Sequence, residues 1–336
     1  MAASAVPLFS TAPTNRLRHC PQLPVSRLPA IPRVTSPCET VAPATRISLS
    51  AAIAPTHLRS HRRPTSPPSA MASEATAASG KQGLLVFDRE EELSVSLAKY
   101  TAELSEKFVR ERGAFTVVLS GGSLIMSLRK LTESPYLESV DWAKWHVFWV
   151  DERVVPKDHE DSNYKLAFDG FLSKVSIPPG QVYAINDALS AEGAAEDYET
   201  ALKHLVNVGV VAVSSVTGYP RFDLMLLGMG PDGHIASLFP GHPLLHVTDK
   251  WVTFIKDSPK PPPERITFTL PVINSSAYIA MVVTGAGKAG AVCKALGSEK
   301  SASDLLPVEM ASLEDGEFTW FTDKAAVSML QGKASV

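Results

Sequence analysis

The chain has 336 residues, 45% hydrophobic and 20% charged, which is enough for a buried core and an ordinary balance for a globular protein. It holds no run of about 18 apolar residues, which excludes a membrane-spanning helix. The net charge of −3 divides into +7 over residues 1–70 and −10 over the rest; so acidic a body excludes a general nucleic-acid binder but not a small anionic substrate held by a few local cations.

Residues 1–70 contain eight arginines, no lysine, a single acid (Glu39), 16 Ser/Thr and 12 of the 26 prolines. No periodic apolar face survives that much proline, so the segment is expected to be disordered. Arg-rich, Ser-rich, acid-poor composition is that of an organelle transit peptide, and the dominance of Ser, Thr and Pro points to the plastid. Residues 71–82 read as a linker. The stretch from Met71 resembles a second, unaddressed N-terminus, from which a shorter cytosolic form could start. Of the three cysteines only Cys293 lies beyond the leader, which leaves no internal disulfide and no cysteine metal cluster. Its helical surroundings make it a small buried apolar residue.

A single α/β domain is expected over residues 83–330, with a short tail at 331–336. Residues 83–87 read as a strand, and 89–113 as a long helix with acids early, Lys/Arg late and glycine at its end. Further strands are expected at 115–120, 145–150, 222–228, 264–270, 277–283 and 318–323. Helices are expected after the glycines at 121–122 and over 163–175, 190–206 and 287–296. Short apolar runs alternating with helices indicate an α/β fold with a mainly parallel sheet and helices on both faces. Such sheets bind ligands at the carboxyl ends of their strands.

Several polar loops flank those strands. Gly121, Gly122 and Ser123 follow the strand at 115–120 and open a helix, where backbone N–H groups can meet an anion; a plain structural turn would read the same. Asp151, Glu152 and Arg153 form a charged loop at a strand exit, either an internal ion pair or an arginine fork for phosphate. Lys260, ahead of three prolines, and Arg265, opening the next strand, are either ordinary surface charge or a clamp for phosphate on a stiff segment. The stretch "GMGPDGHIASLFPGH" stands out. Asp232 is expected to cap a short helix over "GHIASLF". His234 would then sit in its first turn, where the helix dipole favours the neutral imidazole that a general base needs. His242 reads as a loop residue and His146 as a satisfied structural histidine.

"FDLMLLGMGPDGHIASLFPGH", with "VLSGGS" and "WVDERVVP" upstream and "KPPPERITFTLPVIN" downstream, resembles the glucosamine-6-phosphate isomerase/6-phosphogluconolactonase family, over about residues 84–328. Within it, "SLFPGH" stands where the isomerase/deaminases carry an Asn-Glu-Pro segment, so the chain is most similar to the lactonases of plant plastids. Ile235, where lactonases commonly have Thr, is the deaminase residue. The resemblance implies a Rossmann-like fold of the glucosamine-6-phosphate isomerase type and hydrolysis of 6-phospho-D-glucono-1,5-lactone. It carries over His234 as general base supported by Asp232, Arg153 and Lys260 as phosphate ligands, and the Gly121–Gly122 loop as part of the substrate site; Arg265 is added on charge alone. A deaminase-type enzyme and a non-catalytic sugar-phosphate sensor are the alternatives. No metal or cofactor is expected: there is no Cys/His cluster, no H-E-x-x-H and no nicotinamide motif. The expected partner is a small sugar-phosphate lactone, with no nucleic acid or membrane, and the protein a monomer or weak dimer.

Overall fold

The computed structural model describes residues 81–297 and 305–330. The expected disordered leader at 1–70, the linker up to residue 80 and the tail at 331–336 lie outside them. The strands are β1 (Lys81–Phe87), β2 (Phe115–Leu119), β3 (Trp145–Trp149), β4 (Asp151–Arg153), β5 (Ala212–Val213), β6 (Pro220–Arg221), β7 (Leu224–Gly228), β8 (Val252–Ile255), β9 (Arg265–Phe268), β10 (Tyr278–Val283) and β11 (Glu317–Asp323). The helices are α1 (Glu90–Arg112), α2 (Leu124–Ser127), α3 (Tyr136–Ser139), α4 (Asn163–Gly170), α5 (Ala191–Asn207), α6 (Leu270–Asn274), α7 (Ala289–Leu296) and α8 (Pro307–Met310).

Six strands form one sheet in the order β1-β11-β10-β7-β2-β3, every pair parallel. The alternation of side chains along β7 shows why it sits at the centre. Leu224 and Leu226 join the core built with Leu93 and Leu97 of α1. Met225 and Leu227 join the opposite core, with Tyr198 and Leu202 of α5 and Val292 of α7. A strand covered on both faces has no polar side to show, hence its continuous apolar sequence.

From β2 the chain moves outward to β3, whereas from β7 it moves the other way to β10. β2 and β7 are hydrogen-bonded neighbours, so the connections diverge between them. That divergence opens a crevice at the carboxyl ends of the two strands, where open α/β sheets bind ligands.

Two expectations change. Asp151, Glu152 and Arg153 are not a free loop at the exit of β3: they form β4, paired antiparallel with β9 in a second sheet of order β4-β9-β8. Arg265 accordingly stands in this small sheet and not in the main one. The helix expected after Gly122 is only the four residues of α2, too short to lend a dipole to an anion; what remains there is the turn itself.

Candidate active site

One cavity of about 280 Å³ lies over this crevice. It is lined by residues following β2 (Ser120 to Ser123), β7 (Met229, Gly230, Pro231, His234) and β10 (Thr284, Lys288), by Asp151 and Arg153 of β4, and by Lys260 and Arg265. The structure therefore gathers Gly121, Gly122, Ser123, Arg153, His234, Lys260 and Arg265 at one place, with Asp232 directly behind His234.

The His234 stretch is not a helix. Residues 235–239 are all buried, which no one-sided helix allows. Instead single bridges tie Met229 to Ile235 and Ile235 to Leu238, and Gly233 (φ 80°) and Ala236 (φ 49°) take left-handed conformations that interrupt any helix. The Gly230 N–H donates to the His234 carbonyl at 2.9 Å, which closes the bend. A Cβ at position 230 would fall 2.0 Å from both Cε1 and Nδ1 of His234, so the ring occupies space that only glycine leaves open.

His234 Nδ1 is 2.6 Å from Asp232 Oδ1, and Lys260 Nζ is 3.1 Å from that same oxygen. Lys260 Nζ is also 3.1 Å from Nδ1. A lone pair on Nδ1 would face a carboxylate at 2.6 Å, so Nδ1 carries the proton and donates it to Asp232. Nε2 is then the basic nitrogen. Burial, with the nearby Lys260 ammonium, holds the imidazolium below its ordinary pKa, although Asp232 opposes both. Neutrality thus has a source other than the expected dipole. Burial raises the Asp232 carboxyl, but the His234 ring and Lys260 outweigh it and hold the group down at about 2.

Cations dominate the rest of the cavity. Arg153 and Arg265 stand directly opposite each other across the β4–β9 ladder, an arrangement that repels unless an anion lies between the side chains. Arg153 Nη1 donates to the Asp161 carbonyl at 2.7 Å, while its buried Nε has no protein partner. Arg265 is buried and mostly committed: it donates to the carbonyls of Lys260 (2.8 Å), Pro261 (3.1 Å) and Pro262 (3.0 Å), and to Ser237 Oγ at 3.4 Å. It anchors the Lys260 loop more than it faces the cavity. Ser237 Oγ in turn donates to Asp151 Oδ2 at 2.8 Å.

Three lining residues escaped the sequence reading. Lys288 is held by the Met229 carbonyl, and burial together with Lys260 lowers its pKa. Its signal was the glycine-rich "TGAGK" after β10, a strand-to-helix turn like "SGGS" after β2. Asn163 Nδ2 donates to the Asp151 carbonyl at 3.0 Å, and its Oδ1 occupies the space where a Cβ at Gly121 would be, 1.8 Å away. Asp151 lines the cavity from β4, where the sequence shows only a charged run. Among the other histidines, His146 bonds Tyr183 Oη at 3.1 Å, and His242 Nδ1 accepts the Leu244 N–H at 3.2 Å. Cys293 is half-buried, less enclosed than expected. Among the described residues no group of three or more His, Cys, Asp or Glu could hold a metal, and no helix is long and apolar enough to cross a membrane.

Residues 88–320 match the family model described as glucosamine-6-phosphate isomerases/6-phosphogluconolactonase. Rice (Oryza sativa subsp. indica) probable 6-phosphogluconolactonase 4, chloroplastic, is 80% identical over 250 residues, covering 74% of this chain and 77% of its own. Rice probable 6-phosphogluconolactonase 3, chloroplastic, is 64% identical over 317 residues, covering 91% of each chain, a match too long to stop at residue 71. Among solved structures, the 6-phosphogluconolactonase of Trypanosoma brucei superposes with a TM-score of 0.64 at 26% identity, covering 75% of this chain and all of the other.

Proposed function

Because this chain belongs to the glucosamine-6-phosphate isomerase/6-phosphogluconolactonase family, we propose that it opens its lactone by water attack assisted by His234. The chain is a hydrolase with 6-phosphogluconolactonase activity, which acts in the pentose phosphate pathway, and a chloroplast protein. The location agrees with its arginine-rich leader. A shorter cytosolic form begun at Met71 is also proposed, which sequencing the N-terminus of the cytosolic protein would test.

The observation that carries the mechanism is the His234–Asp232 contact of 2.6 Å at the wall of a cation-lined cavity. With its Nδ1 proton committed, His234 presents Nε2 as a base. Arg153, Lys260, the turn at Gly121, Gly122 and Ser123, and the remaining Arg265 and Lys288 N–H groups take the 6-phosphate. That places C1 towards His234. Nε2 removes a proton from water as its oxygen bonds C1. The tetrahedral oxyanion is stabilised by neighbouring cations and backbone N–H groups. As it collapses, the C1–O5 bond breaks and the imidazolium proton passes to O5, giving 6-phospho-D-gluconate. A lactone carbonyl is reactive enough for direct attack, so no nucleophilic side chain is needed.

A coupled assay of lactone hydrolysis, with the spontaneous rate subtracted, tests this. His234→Ala should lower kcat about 10²–10⁴-fold, the usual worth of a general base, with KM little changed. A raised KM with kcat intact would remove His234 from the chemistry.

A further inference from the structure

Lys260 was expected to hold phosphate, yet its ammonium lies on the histidine–aspartate pair, 3.1 Å from Asp232 Oδ1 and 3.1 Å from His234 Nδ1. We propose that Lys260 is a charge gate on His234: in the empty site its ammonium is parked on the Asp232–His234 pair, and the substrate's phosphate draws it away, strengthening the base only when substrate is bound. The inference rests on His234 being the base.

The geometry supplies each part. Asp232 Oδ1 accepts from both His234 and Lys260, so part of the carboxylate's attraction for an imidazolium is offset by a competing cation. The Lys260 backbone is fixed, because Arg265 holds the carbonyls of Lys260, Pro261 and Pro262 and Ser258 Oγ also donates to the Lys260 carbonyl at 2.8 Å. Its side chain is not: the ammonium ends a flexible stem, is over a third exposed, and opens onto the same cavity as Arg153 and Gly121. A phosphate dianion held there outcompetes a shared carboxylate oxygen for it. Two effects then add. The positive charge leaves the ring, and negative charge arrives in the cavity; both favour the protonated imidazole and so make Nε2 the stronger base.

The other charged groups of the cavity do not offer this freedom. Asp151, from β4, favours the imidazolium but is held by Ser237. Lys288, at the start of α7, is held by the Met229 carbonyl. Arg265 lies over the Phe239 ring, which packs on His234, and is fixed by its loop bonds. Arg153 is tied to the Asp161 carbonyl. Among these cations Lys260 alone bonds the base's own carboxylate. In the free enzyme the gate keeps His234 neutral at lower pH, ready to accept a proton. In the complex it raises basicity, and by the Brønsted relation the proton-transfer rate rises with it.

Titration of the His234 ring nitrogens by 15N NMR in the full chain tests this, with the signal assigned by its loss in His234→Asn. The wild-type midpoint should rise when inorganic phosphate saturates the site. Lys260→Met should raise it without phosphate, and phosphate should then add a smaller shift than in wild type. Lys260→Arg, which keeps the charge, should stay near wild type. A Lys260→Met midpoint at or below wild type, an equal phosphate response in both proteins, or Lys260→Arg following Lys260→Met would each overturn the gate. Lactonase turnover retained by His234→Asn would instead overturn the base and leave the titration standing.

Discussion

Asp232 decides which nitrogen of His234 is basic. Its contact at 2.6 Å fixes the tautomer and, in the proposed mechanism, stabilises the imidazolium formed when His234 takes a proton. Asp232→Asn would allow the ring to turn or change tautomer, and should lower kcat on the order of 10²-fold or more. Because Asp232 raises the pKa of His234, its loss should also move the acid limb of the kcat/KM profile to lower pH. An unchanged limb, measured by lactone hydrolysis across pH, would mean that the carboxylate is not coupled to the base. At this scale the sequence was informative about identity and less so about bonding. "PDGH" named the pair and "KPPPER" named two cations, but nothing in their spacing told that Lys260 would reach the histidine or that Arg265 would turn back on its own loop. Those contacts depend on side-chain direction, set by tertiary packing.

Glu152 shows how a short element holds the site together. It lies in β4 between Asp151 and Arg153, and its buried carboxyl accepts the N–H groups of Asn163 (2.8 Å) and Tyr164 (2.7 Å), capping α4. Asn163 then meets Gly121 and the Asp151 carbonyl. Burial pushes the Glu152 carboxyl up to about 7, against the three backbone N–H groups that favour its charge. An acid with a raised folded pKa destabilises as it ionises: between its ordinary 4.5 and about 7 the unfolded chain sheds a proton that the folded chain keeps. Stability should therefore fall across that window as pH rises, and Glu152→Gln should flatten this part of the profile in denaturant titrations while losing about 1 kcal/mol of capping at low pH. A slope unchanged by the substitution would rule Glu152 out as its source. All six strands of the main sheet were legible as short apolar runs: the inner ones because they are covered on both faces, the edge strand β1 although Leu84, Leu85 and Val86 are exposed. β8 and β4 were not. Each is three or four residues long, and "DER" is a strand only because β9 lies beside it. The bend at His234 was misread because a capping aspartate and small residues fit a helix equally well until burial on every side is known.

At the scale of the described residues, topology places the chemistry. The connections from β2 and β7 diverge at adjacent strands, so the loops after them face each other: one with the glycine turn, the other with His234. A body whose sequence carries a net −10 gathers Arg153, Lys260, Arg265 and Lys288 around that one crevice, so the cavity attracts an anion that the remaining surface repels. The parallel pattern and the rule that such sheets bind at their carboxyl edge were readable from the sequence. The strand order that creates the crevice was not, because it depends on long-range pairing. A crystal structure with 6-phosphogluconate bound tests the resulting polarity of the site most directly. The product's C1 carboxylate should lie within hydrogen-bond reach of His234 Nε2, directly or through one water, about 3 Å per contact, with the phosphate on Arg153 and the Gly121–Gly122 turn. A phosphate seated on His234, with C1 at the arginines, would contradict it.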